Sequence, residues 1–271
     1  MKIIEQFIDG KVNIDTCEDN LIITDDFIAV IDGVSSKSDY RKGGKTTGKL
    51  ASEIIGEVIE NLPLDSTIEQ VIESINTEIQ KFYVSNVFPY DKASLGLQAM
   101  MALYSQYHQQ VYLICDCQVV VDGKTYLNPK LSDTTLEHFR SLIAHIEVTT
   151  SGQDFNEYFS NGDQARERIL PWITQSTIFA NDDTTPWGYS VLNGDTVPAS
   201  LIKVIDVPEN SQVILASDGY PFVEGSLEVS EMKLTSLLAD DPFLINIVKS
   251  TKGVTNGASS FDDRTYIRFT I

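Results

Sequence analysis

Cysteine and histidine are scarce in this chain of 271 residues, at three each. Cys17, Cys115 and Cys117 are an odd number, which fits a reducing compartment better than a disulfide framework. Cys115-x-Cys117 is too short and too isolated for a zinc ribbon, and His108, His138 and His145 form no H-E-x-x-H pattern. A structural zinc site is therefore not expected. Basic residues are also few: 20 Lys and Arg stand against 39 Asp and Glu, for a formal charge of −19. A field of that sign repels nucleic acid and anionic membrane, so neither is an expected partner. No window approaches the roughly 20 apolar residues that span a bilayer. Glu5, Gln6 and Asp9 interrupt any signal-peptide core, which makes the cytoplasm the expected location.

What is present is an ordinary apolar content, 42%, enough for a sizeable core. Leu21–Thr24 and Phe27–Ile31 are apolar runs joined by Asp25-Asp26, the pattern of a tight hairpin. From Thr46 to Leu62 the period changes, and Leu50, Ile54, Ile55, Val58, Ile59 and Leu62 make a helical stripe ended by Pro63. Ser66 with Glu69 reads as a capping box opening a second helix, whose inner face is Ile68, Val71, Ile72, Ile75, Ile79 and Phe82. Leu97–Tyr104 and Val111–Val121 read as strands, and Asp122-Gly123 as a hairpin turn before Lys124–Tyr126. Leu131–Trp172 reads as helical, with Leu136, Phe139, Leu142 and Ile143 at helical spacing. A long loop follows from Asn181 to Pro198. Strands are expected at Leu201–Val207, Val213–Ala216 and Thr265–Ile271, with helices at Glu228–Leu238 and Pro242–Lys249. Blocks of strands among helix pairs argue for an α+β fold over a doubly wound sheet. Without repeat or linker, residues 1–271 read as one domain.

The chemistry lies in where aspartates fall relative to these strands. Phe27–Ile31 ends in Asp32-Gly33, and Val213–Ala216 ends in Ser217-Asp218-Gly219. Asp116 interrupts an apolar run, Asp262-Asp263 precedes the last strand, and Glu18-Asp19 precedes the first hairpin. Asp-Gly by itself usually marks a turn. Several carboxylates, each at the edge of an apolar run, are harder to explain that way, because buried carboxylates are costly without a cation. Hard divalent ions such as Mg²⁺ or Mn²⁺ take such oxygen ligands.

In this order, Glu18-Asp19, Asp32-Gly33, Asp116, Ser217-Asp218-Gly219 and Asp262-Asp263-Arg264-Thr265 resemble the type 2C (PPM) metal-dependent protein phosphatases. That family's pattern is E-D, D-G, G-D-S, S-D-G and D-N-x-T, and the resemblance spans nearly the whole chain. It implies a four-layer αββα sandwich, two antiparallel sheets flanked by helix pairs. It implies two Mg²⁺ or Mn²⁺ ions, bridged by Asp32, with the Gly33 carbonyl as a further ligand. Glu18 would hold one ion directly or through water, Asp218 and Asp262 the other, and Asp19 would act from behind them or through water. Asp116 with Asp218 falls where many bacterial members bind a third ion. Asp32 and Asp218 are then central to catalysis, with a hydroxide between the ions attacking phosphorus in line. The implied substrate is a phosphoprotein, at phosphoserine or phosphothreonine, or a small phosphate ester.

The departures from the pattern fall on phosphate recognition. No arginine precedes Glu18-Asp19, where only Lys11 is near; G-D-S-R becomes Cys115-Asp116-Cys117-Gln118, and Val34 replaces a histidine. Asp263 takes the place of the asparagine. These changes support a second reading, a pseudophosphatase acting as a binding module. Gly43–Leu50 has part of a P-loop spacing, but Leu50 stands where a Ser or Thr must bind magnesium, and no apolar strand precedes it. A helix start is the expected outcome there. In an extended strand, Cys115 and Cys117 would share a buried face opposite Asp116.

Overall fold

The computed structural model describes every residue, Met1–Ile271. Strand β1 (Lys2–Asp9) precedes the hairpin of β2 (Asn20–Ile23) and β3 (Phe27–Gly33). Helices α1 (Thr47–Glu60), α2 (Ile68–Ser85) and the short α3 (Lys92–Leu95) lead to β4 (Ala99–Ser105) and β5 (Gln110–Ile114). Next come β6 (Gln118–Val121) and β7 (Lys124–Tyr126), then α4 (Leu131–Ser151), α5 (Phe155–Phe159) and α6 (Gln164–Gln175). The chain closes with β8 (Ile202–Asp206), β9 (Gln212–Ala216), α7 (Leu227–Asp240) and β10 (Arg264–Thr270). The strands form two five-stranded antiparallel sheets, ordered β1-β10-β9-β6-β7 and β2-β3-β4-β5-β8. No helix is long and apolar enough to cross a membrane.

Strand β3 shows why the layers stack as they do. All seven of its residues are buried. Ile28 and Val30 face the other sheet, where they meet Val119, Leu215 and Phe269. Ala29 and Ile31 face the opposite way, against Ile55, Ile59, Ile75 and Ile79 of α1 and α2. A strand covered on both faces reads as a continuous apolar run, as this one does. Beyond the first sheet, Leu234 and Leu237 of α7 pack on Ile214, Ala216 and Tyr266. Helices α4, α5 and α6 build a separate cluster around Ile143, Tyr158 and Ile169. The architecture is α+β, helix on sheet on sheet on helix.

The inner face expected for α2 is the buried face observed. Its capping box lies one residue later, at Thr67 and Gln70, because the Ser66 hydroxyl donates to the Pro63 carbonyl at 2.7 Å instead. Gly43 and Gly44 make a left-handed turn, and Thr46 caps α1, so the P-loop spacing is a helix start.

Two expectations fail. The run Val111–Val121 is not one strand: β5 ends in one sheet and β6 begins in the other. Cys115 makes the break at φ 60, its N–H donating to the Ser190 hydroxyl at 2.9 Å. Consequently Cys117 lies between the sheets, whereas Cys115 packs on Tyr189 and Val191. Both halves of the run are buried, so hydrophobicity carries no mark of the change of sheet. Pro242–Lys249 is not a helix either. The Asp241 carboxylate accepts from the N–H groups of Ile245, Asn246 and Ile247, at 3.2, 2.8 and 2.8 Å, and Leu244 sits at φ 49. A side chain that takes those donors replaces the helix with a turn. Leu131–Trp172 is helical as expected, divided into three helices, with Phe139 and Leu142 45% and 53% exposed.

Candidate metal centre

Strand register brings the acidic motifs to one edge of the sandwich. In one sheet, Asn20 opposes Ile31, Gly33 opposes Ala99, and Met101 opposes Ile114. These pairs align the start of β2 with the ends of β3 and β5. In the other, Ala216 opposes both Tyr266 and Gln118, which aligns the end of β9 with the starts of β10 and β6. Asp32, Asp116, Asp218 and Asp262 line one small cavity of about 110 Å³ between these strand ends. Larger clefts of about 1260 and 740 Å³ run along α1 and α2 and contain none of the four.

The small residues of the motifs allow the backbones to meet. A Cβ on Gly33 would come within 2.4 Å of the Gly48 carbonyl and 2.6 Å of the Glu18 carbonyl, so α1 can start directly over the end of β3. A Cβ on Gly219 would lie 2.0 Å from the Asp263 carbonyl. Ser217 is fully buried and accepts from the Thr265 N–H at 2.9 Å, while Thr265 donates its hydroxyl to Asp19 at 2.8 Å. Ser217 and Thr265 thus stitch three of the five motifs together. Asp19 is tied into this network rather than lining the cavity.

The remaining carboxylates divide into two groups. In the first, burial and then the neighbouring carboxylates raise the pKa of Asp32, Asp116 and Asp218. Asp32 feels Asp19, Asp218, Asp262 and Asp116; Asp116 feels Asp218 and Asp133. Asp116 Oδ1 and Asp218 Oδ1 are buried without any hydrogen-bond partner. Such orphaned acceptors each cost about 1–3 kcal/mol and more when charged, so a cation is the natural complement. Three hard carboxylate oxygen donors, with no histidine in the lining, suit Mg²⁺ or Mn²⁺. No three of the chain's Asp, Glu, His and Cys side chains already form a closed ligand group.

The second group already has its cations. Lys11 Nζ lies 3.6 Å from Glu18, 3.2 Å from Asp262 Oδ1 and 3.3 Å from Asp263 Oδ2, and donates to the Ser35 hydroxyl at 3.2 Å. Burial works against the Lys11 charge, but Asp262, Asp263 and Glu18 outweigh it and raise its pKa. Lys252 pairs with Asp262 Oδ2. Burial would raise the Asp262 pKa, yet Lys252 and Lys11 together hold it below its ordinary value. Glu18 Oε1 accepts from the Thr46 hydroxyl at 2.5 Å and from the Ser36 N–H at 3.4 Å. Asp263, standing where the family pattern has asparagine, accepts from the N–H groups of Lys11 and Glu18 at 2.8 and 2.9 Å.

Sequence reasoning missed the cationic wall. Lys37, Lys130, Arg166 and Lys252 line the same cavity as the four aspartates, so Lys11 is not the only cation near the site. Arg166 is oriented by donating to the Thr251 carbonyl at 2.6 Å, and Lys130 pairs with Asp133 at 3.0 Å. Burial, with Lys130 nearby, pushes Lys37 down to about 8. These residues come from three loops and α6, with no motif to connect them. The one available signal was the excess of acid, against which four cations at one cavity stand out.

No family model and no curated protein matches this sequence. Solved structures do. The catalytic domain of the serine/threonine protein phosphatase PstP, in complex with two manganese ions, aligns over 98% of this chain and 97% of its own, with TM-score 0.51 and 13% identity. The fold is that of the PPM phosphatases. A bacterial serine phosphatase aligns over 98% and 96% of the two chains, with TM-score 0.50 and 16% identity. Serine/threonine phosphatase Stp1 from Staphylococcus aureus aligns over 100% and 95%, with TM-score 0.50 and 14% identity. The two five-stranded antiparallel sheets of this chain are the frame those phosphatases share with it.

Proposed function

We propose that this chain is a divalent-metal-dependent phosphatase that hydrolyses phosphate monoesters, with phosphoserine or phosphothreonine in proteins as the substrate class. One observation supports this above the rest: Asp32, Asp116, Asp218 and Asp262, from four separate segments, line one cavity together with Lys37, Lys130, Arg166 and Lys252. Carboxylates and cations lining one cavity suit a metal ion with a phosphate beside it. Asp32, Asp116 and Asp218 are the residues that would hold the ion, with the Gly33 carbonyl beside Asp32. A bound Mg²⁺ or Mn²⁺ supplies Lewis acidity and an activated water.

The chain's own residues do the rest. Lys37 and Arg166 bind and orient the phosphate, Arg166 through a planar guanidinium that matches two phosphate oxygens. Asp19 keeps Thr265 and the start of β10 in place beneath the site. The narrow cavity limits water around the ester. The test is hydrolysis of p-nitrophenyl phosphate and of a phosphothreonine peptide at pH 7 to 9, with Mn²⁺ and with chelator. Turnover that needs the metal supports the proposal, and its complete absence with Mn²⁺ overturns it. A second reading, a binding module that has kept the fold, draws on the internal neutralisation of Glu18 and Asp262 by Lys11 and Lys252. That module would bind phosphopeptide without cleaving it.

A further inference from the structure

The acidic set has one half with no lysine or arginine in ion-pair contact and one half that is already saturated. Both oxygens of Asp262 are taken, Oδ1 by Lys11 at 3.2 Å and Oδ2 by Lys252. Both oxygens of Glu18 are taken as well, Oε1 by Thr46 and Ser36, Oε2 by Lys11 at 3.6 Å. Around Lys11 Nζ stand oxygens of Glu18, Asp262, Asp263 and Ser35, all within 3.6 Å. That is an oxygen shell around a cation, and the cation is an ammonium. Lys252 Nζ also approaches Ser35, at 3.5 Å. On the other side, Asp116 Oδ1 and Asp218 Oδ1 remain buried and unpartnered.

We infer that this chain carries a built-in substitute for one of two divalent ions: the ammonium groups of Lys11 and Lys252 fill the position bounded by Glu18 and Asp262, so a single tight divalent ion binds, at Asp32, Asp116 and Asp218. The inference rests on the metal-dependent reading above and departs from it in the number of ions. The physical reason is charge. Two ammonium groups carry the charge of one divalent ion, and they are tethered, so they cannot be removed by chelation or dilution. A second Mn²⁺ would have to displace both from carboxylates they already contact. Asp32, Asp116 and Asp218 hold no ammonium in ion-pair contact, so no tethered cation has to be displaced there. Two of the departures from the family pattern, Lys11 in place of an arginine and Asp263 in place of asparagine, fall in this half. Asp263 supplies an additional carboxylate for Lys11, its Oδ2 meeting the Lys11 ammonium and the Glu18 N–H while its Oδ1 accepts from the Lys11 N–H.

The experiment counts Mn²⁺ by calorimetry and reads its electron paramagnetic resonance spectrum on the full chain. Wild-type protein should bind one tight Mn²⁺ with the six-line spectrum of an isolated ion. Lys11→Met with Lys252→Met should bind a second Mn²⁺ and show a spin-coupled pair. Metal-free, that double variant should melt lower than wild type, because Glu18, Asp262 and Asp263 lose their cations, and Mn²⁺ should restore the loss. Asp262→Asn in the wild-type background checks the inference without removing a lysine: the count should stay at one. Two tight, coupled Mn²⁺ ions in wild-type protein overturn the inference while leaving the metal-dependent reading intact, as does a double variant that still binds only one. Loss of the single ion in Asp262→Asn makes Asp262 a ligand and also overturns it. If neither wild type nor double variant binds Mn²⁺, the metal-dependent reading itself falls.

Discussion

Asp218 and Asp262 are the same residue type at the same edge of the sandwich, and both line the same cavity, yet their electrostatic situations are opposite. Asp218 leaves one oxygen buried and unpartnered, and burial raises its pKa. Asp262 holds a lysine on each oxygen, and its pKa is lowered despite burial. The difference is not in the aspartates but in what the flanking loops bring to them. A carboxylate with a tethered cation is stable by itself, whereas one without must find its cation in solution. The first is part of the fold and the second is a site.

The sharpest break of that comparison is Asp32→Asn. Asp32 sits among Asp19, Asp218, Asp262 and Asp116, and its charge is central to the half without lysines. Turnover of an aryl phosphate should fall on the order of a hundredfold or more, since even groups that only support a ligand cost 10–100-fold. Wild-type kcat in a folded variant would remove Asp32 from the mechanism. Asp116→Asn should come next, weakening Mn²⁺ affinity by about tenfold with the fold unchanged in circular dichroism. Its place at the crossover between sheets, outside any strand, leaves the strand ladders undisturbed.

Lys37 tests the cationic wall. Lys37→Met should raise KM about tenfold and change kcat little, as removal of one charge-assisted contact to phosphate costs about 1.5–3 kcal/mol. A lysine with pKa lowered to about 8 loses its charge as pH rises through that value, so wild-type KM should climb above pH 8. Burial contributes most to this, followed by Lys130, with Arg166 and Lys252 adding to it and Asp133 opposing it. Lys37→Arg should abolish the climb, because arginine stays charged. A KM that is flat with pH in wild type would place Lys37 outside the phosphate site.

The smallest effect is on stability. Asp218→Asn in chelated protein removes a buried negative charge that has no partner, at almost constant shape. Melting temperature should rise by about 2–4 °C, the shift of roughly 1 kcal/mol in a chain of this size. Asp262→Asn should lower it, because two lysines lose their partner. If both variants shift in the same direction, the division of the acidic set is wrong.

Much of this was legible in the sequence, for a definite reason. The buried face of α2, from Ile68 to Phe82, could be read because an amphipathic helix repeats its pattern locally. Asp32-Gly33 and Asp218-Gly219 could be placed at strand ends because turn residues mark where apolar runs stop. Asp116 was misjudged: a run buried in two different sheets looks like a run buried in one. Pro242–Lys249 was misjudged because a single carboxylate, Asp241, outcompetes the helix for its donors.

By itself, then, the sequence determined which segments are apolar, at what period, and where carboxylates interrupt them, since burial and pairing within a helix or hairpin are local. Only the tertiary structure decided which cation meets which carboxylate. Lys11, Lys252, Lys37, Lys130 and Arg166 lie far apart along the chain, and Coulomb energy depends on distance in space, not separation in sequence. Whether an aspartate is a paired residue of the fold or an open ligand is settled there.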